Sequence, residues 1–176
     1  DYILIDLDPV ECPFSKIVEA AQEVQRVLDQ IKLKGYPKTT GGDGMHVFIP
    51  IEPRYTYDQA RSFAEIVSQI VTAERPELFT TPRSVEKRRK NRVYFDYMQL
   101  AFSKTIASPY VLRAYDGAPV ATPLTWAEVK PGLSPHDFHI GNAVARFRET
   151  GDLFEAVLTK PQKLEPALKR LAALVE

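Results

Sequence analysis

Apolar and polar positions alternate between two rhythms along the first half of the chain. Residues 2–7 are Ile-, Leu- and Tyr-rich and predict a strand that stops at Pro9. Ile17, Val18, Ala21, Val24, Leu28 and Ile31 then recur near the helical period, predicting a helix that begins at Pro13 or Ser15 and ends at Gly35. A Gly-rich turn over 38–44 leads into a second strand over 45–51. A second amphipathic helix over 57–73 follows, through Ala60, Phe63, Ala64, Ile66, Val67, Ile70 and Val71. Further along, 83–92 reads as a short helix or loop and 93–96 as a short strand. Residues 108–120 read as a strand or hairpin turning at Asp116-Gly117, and a short helix begins at Trp126. More helix is expected over 141–148, 153–158 and 165–175. Early alternation of strand and helix places the fold in the α/β or α+β class.

The 176 residues, 44% of them hydrophobic, suit one domain over 1–176 and exclude a disordered chain. No apolar run reaches the roughly 18–20 residues of a membrane span, and the apolar stretch over 2–7 lacks the basic leader and cleavage site expected of a signal peptide. The lone Cys12 excludes an intrachain disulfide framework and a Cys-rich zinc site. The expectation is a soluble intracellular protein. Its net charge of zero hides a polarity: residues 1–82 carry 8 basic and 13 acidic residues, and residues 83–176 carry 15 and 10.

Three constellations carry chemistry. In a strand, Asp6 and Asp8 face the same side, and two carboxylates on an apolar strand call for a cation, which hard divalent ions supply. The plain alternative is a solvent-facing strand end. Asp96 closes a second apolar strand; if the two strands pair, three acids converge as in two-metal phosphoryl-transfer sites. Asp96 also suits an N-cap. In Thr40-Gly41-Gly42-Asp43-Gly44-Met45-His46, three glycines in four positions let backbone amides turn toward one anion, and His46 is placed to meet a phosphate. An ordinary tight turn and a core histidine are the alternatives. The loop matches neither a P-loop nor the dinucleotide fingerprint. Finally, six of the ten residues over 83–92 are basic, including Lys87, Arg88, Arg89 and Arg92. That run is either a solvated face or a phosphate-neutralising one. Arg113 and Lys104 are further phosphate candidates. His136 and His139 read as a surface loop, Cys12 as structural and Trp126 as a core anchor. Tyr94, Tyr97 and Tyr110 read as core aromatics before base-stacking ones.

Taken in order, Ile-Asp-Leu-Asp-Pro, Thr-Gly-Gly-Asp-Gly-Met-His-Val, Arg-Val-Tyr-Phe-Asp-Tyr-Met-Gln and Ser-Lys-Thr-Ile-Ala-Ser-Pro-Tyr-Val-Leu-Arg resemble the polymerase domain of bacterial LigD-type end-joining ligases, in the archaeo-eukaryotic primase superfamily. The resemblance runs from residue 2 to about residue 160. It implies an α/β catalytic core with an RRM-like palm and template-directed nucleotidyl transfer. Asp6 and Asp8 would hold two divalent ions, Mn2+ or Mg2+, and Asp96 one of them. Thr40, Gly41, His46, Arg113 and Lys104 would hold the incoming NTP or dNTP. Arg89 and Gln99 would sit near nucleotide or template, with Lys87, Arg88 and Arg92 also on nucleic acid. Implied partners are DNA ends, Ku and a ligase domain, in a cytoplasmic setting with the bacterial or archaeal nucleoid and no membrane.

The chain departs from the family in three places: Thr40 for the frequent Ser, Asp43 for a basic residue, and Leu100 for Asn. Asp43 would repel a triphosphate unless it points away or pairs with a basic residue. The family also has about a hundred residues ahead of the first strand. With no initiator Met, the chain is expected to be a fragment lacking that part, with strand edges left open. Two other readings stand beside this one. A haloacid-dehalogenase-type phosphohydrolase also opens on Asp-x-Asp, though Pro9-Val10 and a lone Asp96 fit it poorly. A non-catalytic nucleic-acid-binding module would keep only the basic run.

Overall fold

A computed structural model describes the backbone of residues 1–175 and the side chains of residues 1–173. The first strand, β1 (Tyr2–Val10), is followed by α1 (Phe14–Gln30), β2 (Tyr36–Thr39), β3 (Met45–Pro50) and α2 (Tyr57–Glu74). Then come β4 (Phe79–Thr80), β5 (Arg92–Asp96), α3 (Ala143–Thr150), α4 (Glu155–Thr159) and α5 (Glu165–Val175). The strands form one five-stranded sheet in the order β2-β3-β1-β5-β4, antiparallel except for β4 beside β5. Setting aside the two-residue β4, this is a β-α-β-β-α-β unit with β1 central, the arrangement expected of an RRM-like palm. Both neighbours of β1 come from within the chain. The outer edge of β2 is covered by the segment after Val120, through Thr39 N to Thr122 O and Leu124 N to Pro37 O. The expectation of open edges around the first strand is therefore corrected.

Period-2 alternation on β1 divides the molecule. Ile3, Ile5 and Leu7 are fully buried on one face, where α1 and α2 both pack against β1 and against each other. The other face carries Tyr2, Leu4, Asp6 and Asp8. Helix α1 contributes Ile17, Ala21, Val24 and Leu28 to the core, and α2 contributes Ala60, Phe63, Val67 and Val71. Thr56 starts α2 with a capping box, its hydroxyl accepting from Gln59 N while the Gln59 side chain accepts from Thr56 N. Between the helices, Arg75 grips Glu19, Glu23 and Glu77, and Arg26 bridges Glu23 and Glu74.

Several boundaries differ from the sequence expectation. Strand β1 does not stop at Pro9 but runs through it to Val10. Val93 spends its amide on Leu78 O of the β4 side, so Pro9 opposite it owes β5 no hydrogen bond. The N–H that proline lacks would face the side where β3 has already turned away. Helix α1 ends at Gln30, five residues before Gly35, because Lys32 takes the left-handed conformation (φ 60) and Leu33 N closes back on Leu28 O. Gly35 instead allows close approach: a Cβ there would lie 2.7 Å from Leu28 Cδ1. Strand β2 takes Lys38 and Thr39 from the expected turn together with the unassigned Tyr36 and Pro37, and β4 was not foreseen. The turn at Asp116-Gly117 is present, but within 108–120 one bridge, Leu112 to Val120, stands where a regular hairpin was expected, and Pro119 pairs outward with His139. Pro109 and Pro119 interrupt any longer ladder.

On the second face, Phe48 meets Tyr2, His46 and Phe154 edge-on and is 1% exposed, so α4 covers that end of the sheet. Phe48→Ala should cost about 3–5 kcal/mol of stability, read from the denaturant midpoint, since it removes the ring that joins the sheet to α4.

Candidate active site

The polar residues of the second face fall into one row. Lys38 of β2 lies opposite His46 of β3, His46 opposite Asp6 of β1, and Asp6 opposite Asp96 of β5. Opposed residues in a ladder project to the same side. Asp8 lies on that side too, one pair further on and opposite Tyr94. The strand pairing on which convergence of the three acids depends is thus present. Directly opposed Cα atoms lie roughly 4.5–5.5 Å apart, well inside the distance at which carboxylates can share an ion. Among the described residues, no three such side chains close on a single point as a ready ligand cage. The register nevertheless puts all three on one face, Asp6 directly opposite Asp96 and Asp8 two residues along β1.

Burial and mutual repulsion tune this row. Desolvation, followed by the charges of Asp6 and Asp96, pushes the Asp8 carboxyl up to about 7, against the pull of Arg88. Asp96 is raised by burial and by Asp6, while the Met98 and Gln99 amides donate to its Oδ1 at 2.8 and 3.1 Å and oppose the rise. Asp96 therefore caps a turn alongside its place in the row, and no helix starts there as the N-cap alternative required. Asp6 Oδ1 is buried without a hydrogen-bond partner. His46 Nε2 approaches it at 3.4 Å, outside hydrogen-bond geometry. Burial depresses the imidazole, only partly offset by Asp6, and its Nδ1 also lacks a partner. Buried polar atoms left unpaired beside a surplus of carboxylates are what a hard divalent cation and an anionic ligand would satisfy. Asp6, Asp8 and Asp96 fit a metal on those grounds.

The Gly-rich turn borders the row. The Thr40 hydroxyl staples it, donating to Gly44 O and accepting from the Gly42 and Gly44 amides. A Cβ on Gly44 would stand 2.8 Å from Leu7 O and 3.0 Å from Asp8 Oδ1, so only glycine lets the turn lie against β1 at this point. Gly41 adopts φ +71, and a Cβ there would lie 2.6 Å from Arg113 Cγ. Arg113 sits on an irregular segment and not on a strand. Its Nη1 donates to Thr40 O at 2.7 Å, and the guanidinium stacks on Tyr115. Asp43 is exposed and, with Tyr115, Asp116 and His136, lines a cavity of about 370 Å³ beside the turn. Leu100, the departure from Asn, is buried in the core.

The remaining residues singled out in the sequence lie nearby or further off. Arg88 lies over the Tyr94 ring at 3.4 Å and donates to Pro82 O and Arg83 O, which brings its charge to Asp8 and Asp96. Lys87 and Arg89 are exposed on the same loop. Arg92 shares the acid face, at the far end of β5, with a buried and unpartnered Nη1. The Gln99 side chain donates to Thr105 O and closes its own loop. Gln99 and exposed Lys104 line a cavity of about 140 Å³ toward the Tyr2 end of the face. Trp126 anchors through its indole N–H on Gly35 O.

One residue was missed altogether. Lys38 is fully buried, and burial lowers its ammonium to about 7 although Asp6 opposes the shift. Only cross-strand register, which a single sequence does not display, would have found it.

Comparison with known proteins is concordant along most of the chain. The family model described as the LigD primase-polymerase domain matches residues 1–154. The bifunctional non-homologous end joining protein LigD of Bacillus subtilis is 39% identical over 91% of this chain and 26% of its own length. The multifunctional non-homologous end joining protein LigD of Pseudomonas aeruginosa is 33% identical over 97% of the chain and 20% of its own length. This chain thus spans about a quarter or less of those relatives. The polymerase domain of Mycobacterium tuberculosis ligase D, solved in complex with DNA, superposes with a TM-score of 0.82 at 30% identity, covering 92% of this chain and 56% of that one.

Because the folded state holds Asp8 at about 7 against an ordinary 3.8, it disfavours the charged carboxylate. Metal-free protein should therefore lose stability as pH rises through that interval. Melting temperatures in chelator from about pH 5 to about pH 8 check this: Asp8→Asn should gain on the parent up to about pH 7 and then level off. A constant difference would mean that the fold does not hold Asp8 above its ordinary pKa.

Proposed function

This chain belongs to the LigD primase-polymerase domain family, and from that premise we propose that it is a divalent-metal-dependent nucleotidyltransferase of the DNA-directed polymerase or primase type. It adds nucleotides to DNA ends during double-strand-break repair by end joining. The observation that carries the reading is the aligned row of Lys38, His46, Asp6 and Asp96, with Asp8 beside it and the Gly-rich turn on its border.

In this reading Asp6 and Asp8 hold two ions, Mn2+ or Mg2+, and Asp96 holds one of them. When bound, such ions lower the pKa of the primer hydroxyl and offset charge on the departing pyrophosphate. The remaining roles belong to the chain. Arg113 fixes the Thr40 carbonyl, and a trans peptide holds its C=O and N–H in opposite directions, so the Gly41 amide is turned away from Arg113 to receive a phosphate of an NTP or dNTP. Arg113, while holding Thr40 O, adds its positive charge to the triphosphate side of the turn, and Lys104 reaches the ligand from the Tyr2 end of the face. His46, buried with a free Nδ1, offers a neutral imidazole to that ligand. Exposed Asp43 leaves the inner side of the turn to the ligand. Lys87 and Arg89 neutralise strand phosphates from their exposed loop. Arg88 and Arg92 add charge closer to the sheet, and Gln99 braces the loop after Asp96.

The partners in this reading are DNA template and primer ends, with Ku and a ligase domain, in the cytoplasm with the nucleoid. No helix among the described residues is long and apolar enough to cross a membrane. No observation favours the phosphohydrolase, and three retained acids oppose the idle binding module.

Primer extension with NTPs and Mn2+ on a templated substrate tests the proposal. The whole protein should extend the primer. Asp8→Ala should lose more than the roughly 10–100-fold typical of changes outside the ligand shell. Absence of template-dependent extension by folded, DNA-binding protein would reject the reading. Gly41→Ala, which places a Cβ 2.6 Å from Arg113 Cγ in a left-handed residue, should raise the KM for nucleotide more than it lowers kcat.

A further inference from the structure

Lys38 is completely buried, yet its Nζ makes one hydrogen bond, to Thr39 O at 3.1 Å, out of the three an ammonium can donate. Burying a lysine costs free energy unless its charge is answered. The answering charge lies along the row: Asp6 attracts the ammonium and Arg113 repels it. The residues that shut it off from water come from the segment covering the β2 edge, where Pro123 bridges Lys38 and both Ala121 and Thr122 are fully buried. Lys38 is therefore walled off from any ligand and acts only through its neighbours.

Those neighbours are the beginning of the Gly-rich turn. Two basic side chains take two successive carbonyls: Lys38 takes Thr39 O and Arg113 takes Thr40 O. In trans peptides each anchored carbonyl directs the next amide the opposite way. The Thr40 amide accordingly reaches Gly44 O at 3.1 Å and closes the turn, while the Gly41 amide has no hydrogen-bond partner among the described residues. The two anchors thus set the orientation of the turn, and one of them also ends the row containing the acids.

We propose that Lys38 is a positioning residue of the nucleotidyl-transfer site, holding the start of the Gly-rich turn through the Thr39 carbonyl and balancing the acid row from its buried end, without touching nucleotide. This rests on the polymerase reading above. It goes beyond that reading by giving a role to a residue outside the metal, triphosphate and strand contacts.

The test uses the whole protein and two substitutions. Lys38→Met keeps length and loses charge and donor; Lys38→Gln keeps a donor and serves if the Met variant does not fold. Mn2+ affinity is titrated directly, without nucleotide or DNA, and primer extension supplies KM for NTP and kcat separately. Folded variants should weaken Mn2+ binding and raise KM by roughly tenfold each, with kcat little changed, as expected when a group supporting the ligand shell is lost. Exposed Lys130→Met should change neither. If folded Lys38 variants keep both quantities within about twofold of the parent, Lys38 is only a buried core residue and the proposal is wrong. A parent that binds Mn2+ but extends no primer overturns the polymerase reading instead, and the Mn2+ titration alone then decides the role of Lys38.

Discussion

Antiparallel register between β1 and its two neighbours is the constraint on which the site depends. A shift of one residue between β1 and β5 would send Asp96 to the helix-covered face and leave Asp6 opposite an apolar side chain. The hydrophobic set enforces the observed register. Ile3, Ile5 and Leu7 must face α1 and α2, as must Met45, Val47 and Ile49 on β3 and Val93 and Phe95 on β5, all of them buried. The same alternation that fills the core therefore delivers Asp6, Asp8, His46 and Asp96 to the opposite face. Placement of the acids comes from the core; their strained electrostatics come from burial and from one another.

Much of this was legible in the chain, and what was not has identifiable causes. Both long helices could be read, since each carries a full apolar stripe and α2 carries a Thr-x-x-Gln start. The acids of β1 could be read because an i, i+2 pair of carboxylates on an apolar strand is costly without a cation to answer it. Strand β2 could not. Its four residues contain Pro37 and Lys38, and they are held as strand only by pairing with β3 on one side and by the covering segment on the other. With β2 unread, Lys38 looked like a loop residue. The early end of α1 was hidden because Lys32 takes a conformation usually left to glycine, while Gly35 serves a packing need.

Arg113 was also assigned by type before its surroundings could be known. An arginine after a Pro-Tyr-Val-Leu run on an expected strand suggested a direct phosphate ligand. The structure places it on an irregular segment, bonded to a carbonyl of the turn and stacked on Tyr115. Thr40 differs in a similar way: its hydroxyl is spent inside the turn, so the change from Ser adds a methyl group without removing the staple. The large concavities of the molecule, about 670 Å³ beside α1 and α4 and about 680 Å³ between α2 and α5, lie away from the acids.

The ion-pair hub between α1 and α2 has a consequence on the far side of the sheet. Arg75 ties two turns of α1 to the end of α2 and to the approach of β4. The two helices are thus cross-tied behind the central strands, whose buried amides belong to the slowly exchanging core. The segments around the acids, residues 81–91 and 97–119, are held by few regular backbone hydrogen bonds and belong to the low-stability end of the same molecule. Local opening there leaves the layer behind the sheet intact, so the loops on the acid face can exchange between substates while the register that aligns the row persists.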